Sequence, residues 1–268
     1  MDGMKMQKEI VKKEEQFVST GVPGFDALFK HGIPKGSSVL VAGGAGTGKT
    51  NFCLQILAHQ ASQGKKCYYI GFRESSERLI QRMEKFGWNP KQLMDSGNLK
   101  IKRFLTSEIY YYDKKVGNDF EAMMTKDVDP LLMELEPLAI VEGAGFKPDF
   151  IVFDSLTAVS STFRGKEQSY RIYVEQLFRF FEKIGSTSFL ITETKQIPEI
   201  FSPTGVEEFL ADGVVVFYNI RRENGRENAI EILKMRDEKH QKKIVTMQIT
   251  EKGIKVYPKR EISGVLMA

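Results

Sequence analysis

Gly43-Gly44-Ala45-Gly46-Thr47-Gly48-Lys49-Thr50 fits the pattern G-x-x-x-x-G-K-[ST], and its reading decides the fold. The flanks have the right character. Ser38 to Ala42 is an apolar run that reads as a strand, and Asn51 to Gln63 reads as a helix stopped by Gly64. A glycine-rich loop between strand and helix turns backbone N–H groups inward at a helix N-terminus, where phosphate is favoured. Lys49 then reaches the β- and γ-phosphates, and the Thr50 hydroxyl is offered to Mg²⁺. Phe52, two residues past the loop, is grouped with its nucleotide-binding residues. The expected ligand is a nucleoside triphosphate.

Composition sets wide limits around that loop. The 268 residues are 41% hydrophobic and 28% charged, ordinary values for a globular chain of α/β size. A net charge of +4 permits a nucleic-acid partner without requiring one. No apolar run approaches the roughly 18 residues that span a bilayer, and the polar start does not read as a signal peptide. Cys53 and Cys67 lack metal-ligand company and suit a reducing cytoplasm.

Upstream of the loop, residues 1–17 form a polar extension read as a short amphipathic or frayed helix. Ser19 to Asp26 and Gly32 to Gly36 are turn-rich. Downstream, Lys66 to Phe72 reads as a strand, Glu77 to Phe86 as a helix, and Leu99 to Phe104 as a strand. Thr106 to Asp127 is the least readable stretch, and Asp129-Pro130 opens a further helix with Leu131, Leu132 and Leu135 at helical spacing. Phe150 to Asp154 is a fully apolar strand ending in a carboxylate, as suits a parallel strand buried on both faces. Tyr170 to Ile184 is helical and Ser188 to Ile191 extended. Strands alternating with helices point to a parallel sheet with crossovers. The last third differs: strands from Val214, Ala229, Ile244 and Ile254 are joined by tight turns, Arg222 to Arg226 among them. The expected fold is therefore α/β, a parallel P-loop NTPase core with a C-terminal antiparallel β extension.

Several residues beyond the loop are candidates for chemistry. Asp154, ending a buried strand expected beside the loop, can hold a Mg²⁺-bound water. Hydrolysis also needs a carboxylate that orients or deprotonates water in line with the γ-phosphate. Its place is expected on a strand neighbouring that of the loop, at Phe72-Arg73-Glu74. Strand alternation allows only one of Arg73 and Glu74 to face the phosphate. Glu74 would supply a base; Arg73 would supply a clamp on bound charge. Thr192, Glu193 and Thr194 close another strand, with Thr192 the candidate γ-phosphate sensor or simply a strand-end cap. Lys234 and Arg236 share a strand face, which by spacing alone reads as solvated.

Thr20 to Asp26, Gly32 to Gly36 and the glycine loop, taken in order, resemble the opening of a KaiC domain of the RecA superfamily. The resemblance continues through Phe86-Gly87-Trp88, Phe153 to Thr157, Gly205 to Phe209 and Leu233 to Arg236. It implies a RecA-like core over residues 18–260, with a tail at 261–268, and ATP as the nucleotide. It further implies ATP/ADP at subunit interfaces of a ring or filament, a hexameric ring being the candidate assembly. On that resemblance Lys234 and Arg236 reach a neighbour's γ-phosphate, and His240 helps line the interface. One departure stands out. The family commonly carries paired glutamates after the second strand, the first activating water, and Arg73 occupies that first place.

Three functional classes follow: an assembled slow Mg-ATPase; a nucleotide-gated assembly or signalling module that hydrolyses little; and a DNA-binding recombination-type protein. The last would use loops at Ser160 to Gln168 and Lys195 to Gly205, with Phe163 and Phe201 as stacking aromatics.

Overall fold

The computed structural model describes residues 16–105, 146–195, 200–223 and 225–262. Strands β1 (Phe17–Val18) and β2 (Ile33–Pro34) pair antiparallel around the turn-rich entry. Within that entry Asp26 accepts hydrogen bonds from the Thr20 backbone N–H and hydroxyl, fixing the bend. β3 (Ser38–Gly43) leads into the glycine loop and α1 (Lys49–Ser62) leads out. β4 (Cys67–Gly71), α2 (Ser76–Lys85), α3 (Pro90–Asp95) and β5 (Leu99–Arg103) follow. Then come β6 (Phe150–Asp154), α4 (Leu156–Ser160), α5 (Glu167–Ile184), β7 (Thr187–Glu193) and α6 (Val206–Leu210). β8 (Gly213–Arg222), β9 (Gly225–Met235), β10 (Val245–Thr250) and β11 (Gly253–Glu261) complete the described chain.

Nine of these strands form one sheet, in the order β11-β10-β9-β8-β3-β7-β6-β4-β5. Every pair from β8 through β3 to β5 is parallel, and the three pairs among β8, β9, β10 and β11 are antiparallel. The expected parallel core with an antiparallel extension is what the chain forms. The central strands are apolar throughout because both faces are covered. On one face Val39, Val41, Tyr69, Val152 and Ile191 meet α1; on the other Leu40, Ala42, Ile70, Phe153 and Leu190 meet α5.

The expected strand neighbours need correction. β3 lies between β7 and β8, not beside β4 or β6, and β6 separates β7 from β4. The crossover helix explains it: α1 lies across β3, β7, β6, β4 and β5, so the strand that follows it enters the sheet beyond the loop's neighbours. Asp154 and the Arg73-Glu74 segment are therefore two and three strands from β3. At the N-terminus Phe17 lies in β1, so a helix over 1–17 does not reach its expected end; residues 1–15 lie outside the described residues. The expected helix from Asp129-Pro130 and the whole 106–127 stretch also lie outside them.

Phe52 is corrected as well. Its ring is fully buried, edge-on to both Phe25 and Phe217, so it ties α1 to the entry turn and to β8 instead of facing nucleotide. Phe52→Ala is expected to cost about 3–5 kcal/mol in urea unfolding, as a large buried ring is exchanged for a cavity. A loss under about 1 kcal/mol would contradict this placement.

Candidate nucleotide site

The parallel strands end together. Gly43 of β3 pairs with Glu193 of β7, Ile191 of β7 with Asp154 of β6, and Asp154 with Gly71 of β4. Their ends surround a cavity of about 510 Å³, a size that suits a small-molecule ligand. The loop supplies one wall through Ala45, Gly46, Gly48, Lys49 and Thr50. Gly43 must be glycine, since a Cβ there would lie 2.5 Å from the Phe217 carbonyl oxygen. Gly46, at φ +75°, turns the loop through the left-handed region. Gly44 accepts a hydrogen bond from the Thr47 hydroxyl, which braces the turn.

Lys49 is buried, and its Nζ donates to the carbonyls of Gly43 and Gly44, both at 2.8 Å. Burial pushes this ammonium below the usual lysine range; the charges of Glu193 and then Asp154 oppose the shift. Asp154 Oδ2 accepts from the Thr50 hydroxyl at 2.8 Å and from the Tyr69 hydroxyl at 2.6 Å. Burial and the Asp154 charge drive the Tyr69 phenol well above its ordinary range, so it remains a donor.

Arg73 and Glu74 both line the cavity, contrary to the expected alternation, because β4 ends at Gly71 and the two residues belong to the turn before α2. Each is paired: Arg73 with Glu193, and Glu74 with Arg82 at 2.6 Å. Three cations (Lys49, Arg73, Arg82) and three carboxylates (Glu74, Asp154, Glu193) therefore share the lining. Ile249 of β10 adds an apolar contact, its Cδ1 3.1 Å from where a Gly48 Cβ would stand.

A family model described as "ATPase: KaiC" matches residues 18–261. The chain belongs to the KaiC ATPase family. It is 30% identical to the circadian clock oscillator protein KaiC of Acaryochloris marina over 92% of this chain and 45% of that one. It is 30% identical to a UPF0273 protein of Thermotoga maritima over 90% of this chain and 96% of the relative. A KaiC-like protein from the hyperthermophilic archaeon Pyrococcus horikoshii superposes with a TM-score of 0.72 at 27% identity, over 90% of this chain and 99% of that one. The chain thus spans about half the length of the clock proteins it matches and nearly all of the other two.

Within this KaiC-type fold the sequence-predicted residues fall into two groups. The loop with Lys49 and Thr50, Arg73, Glu74 and Asp154 meet at the cavity. Thr192 does not join them: it is fully buried on the opposite face of β7 from Ile191 and Glu193, 3.3 Å from the Thr157 hydroxyl. Thr157 Oγ1 accepts from the Glu193 backbone N–H at 2.8 Å, so Thr192 bears on the cavity only through this support.

Lys234 and Arg236 lie at the far edge of the sheet. Met235 pairs with Gly213, which pairs with Val39 at the start of β3, whereas the loop leaves its end. Lys234 donates to the Glu208 and Ala211 carbonyls, and Arg236 to the Phe209 carbonyl and Asp212, so both hold the end of α6. Burial, then the neighbouring Arg236, lowers the Lys234 ammonium. His240 forms a bridge to Phe29, also away from the cavity. Phe163, expected to stack on bases, is buried against Tyr170 and Tyr173, which removes it from a DNA surface.

Sequence reading missed Tyr69, Arg82 and Ile249 as lining residues, and took Thr192 over Glu193. Tyr69 sits inside an apolar strand and carries no motif; only the β4–β6 pairing brings it to Asp154. Tyr69→Phe is expected to lower stability by about 1–2 kcal/mol in urea unfolding, since a donor to a carboxylate is lost. An unchanged midpoint would show that Asp154 does not depend on it.

Proposed function

We propose that this protein is a slow Mg²⁺-dependent ATPase that works as an oligomer, with Lys234 and Arg236 of one copy completing the triphosphate site of the next. The observation that carries this reading is the separation of the two cations from their own loop. β3 runs from Ser38 to Gly43, so the two edges of the sheet are roughly 17 Å apart. A chain cannot bring its own Lys234 and Arg236 to its own Lys49 without leaving the fold. A contact of one sheet edge against the other is head-to-tail, the kind that closes rings, and a hexameric ring fits this reading.

The cavity is suited to the cargo. The glycine loop and Lys49 take the phosphates, and Ile249 offers an apolar face to the base. The Thr50 hydroxyl and the Asp154 carboxylate are hard oxygen donors side by side, suited to Mg²⁺. Among the described residues no group of three or more His, Cys, Asp or Glu is placed to hold a metal ion. When bound, Mg²⁺ supplies neutralisation of the phosphate charge. Among the described residues no helix is long and apolar enough to cross a membrane. The free, buried thiols of Cys53 and Cys67 suit a reducing, cytoplasmic setting.

A second reading, a nucleotide-gated assembly module with little hydrolysis, draws on the pairing of both Glu74 and Glu193 with arginines. Turnover of MgATP measured together with oligomer mass separates the two. The ATPase reading expects slow turnover, lost in Lys49→Ala, and a mass that grows with nucleotide. Growth in mass with no turnover would favour the module, and neither response would contradict both.

A further inference from the structure

Of the three carboxylates lining the cavity, Glu193 alone stands on the strand next to that of the phosphate loop. It pairs in register with Gly43, whose carbonyl holds Lys49, on the strand next to β3. Glu74 lies in the turn that follows β4, itself three strands from β3, and is held by Arg82 of α2. The backbone of Glu193 is fixed through Thr157, while its side chain is 39% exposed and meets an Arg73 side chain that is 56% exposed. An ion pair so open to solvent is worth at most about 1 kcal/mol. A γ-phosphate offers a guanidinium a doubly charged, bidentate partner, which is the stronger competitor.

We propose that Arg73 and Glu193 exchange partners when ATP binds: the γ-phosphate takes Arg73, and Glu193, released beside Lys49, accepts the proton of the attacking water. This rests on the ATPase reading above. The water oxygen forms its bond to the γ-phosphorus as the bond to the β–γ bridging oxygen breaks. That oxygen leaves with the bonding pair as part of ADP. The proton lost by water goes to the Glu193 carboxylate and then to the released phosphate. The carboxylate that the resemblance places at position 73 is thereby supplied from β7, and Arg73 makes its release depend on the third phosphate. ADP, lacking that phosphate, leaves the pair closed.

The test uses the full chain with MgATP and MgADP, comparing Glu193→Gln, Glu193→Asp, Glu74→Gln and Arg73→Gln, each checked for an unchanged thermal midpoint. Glu193→Gln should lower kcat about 100-fold while MgATP binds within a few-fold of the parent. Glu193→Asp should retain part of the rate, and Glu74→Gln should lose less than Glu193→Gln. Arg73→Gln should weaken ATP about tenfold and leave ADP affinity unchanged, a contrast that a merely structural role would not produce. Parental turnover in Glu193→Gln, or an unchanged ATP-to-ADP affinity ratio in Arg73→Gln, would overturn the exchange and leave the ATPase reading standing. A parent that binds MgATP and never hydrolyses it would overturn both.

Discussion

In-register parallel pairing of β3, β7, β6 and β4 is the constraint on which the rest of this structure depends. It brings Gly43, Glu193, Asp154 and Gly71 to one edge of the sheet, so the phosphate loop, the hydroxyl–carboxylate pair and the Arg73-Glu74 turn face one cavity. The same pairing, carried through β8 into antiparallel β9, sends Lys234 and Arg236 to the opposite edge. Strand direction alone therefore decides which charged groups can meet within one chain.

The cavity balances its charges in pairs. Lys49 rests on its own loop's carbonyls, Asp154 takes two hydroxyls, and Arg73 and Arg82 each hold a glutamate. The Arg73–Glu193 pair is exposed enough to open for a stronger partner, the Arg82–Glu74 pair is more covered, and the Lys49 contacts are buried and set the position of the ammonium in advance. On the proposed reading a triphosphate would meet a loop already shaped and, beyond it, an Arg73–Glu193 pair able to open.

Much of this was legible in the chain itself. The glycine loop, its flanking strand and helix, the switch from parallel to antiparallel strands, and Asp154 as a strand-end carboxylate all follow from local pattern, since each depends on contiguous residues. Strand order did not follow, because it depends on which strands α1 passes over, and no local pattern encodes that path. The differences at the site have local causes instead. Arg73 and Glu74 escape alternation because β4 stops at Gly71, and a single strand in isolation does not say whether Thr192 or Glu193 is on the face that meets the loop. Phe52 departs from expectation because proximity to Lys49 along the helix does not turn its ring toward the cavity, and the ring packs on Phe25 and Phe217.

The central claim is that the loop is half of a site whose other half lies on a second copy. Mixing Lys49→Ala chains with Arg236→Ala chains tests it most directly. Each variant alone should be nearly inactive. In co-assembled mixtures about a quarter of head-to-tail interfaces would pair an intact loop with an intact arginine, so MgATP turnover should reappear. Mixed oligomers that remain as inactive as either parent variant would contradict a shared site.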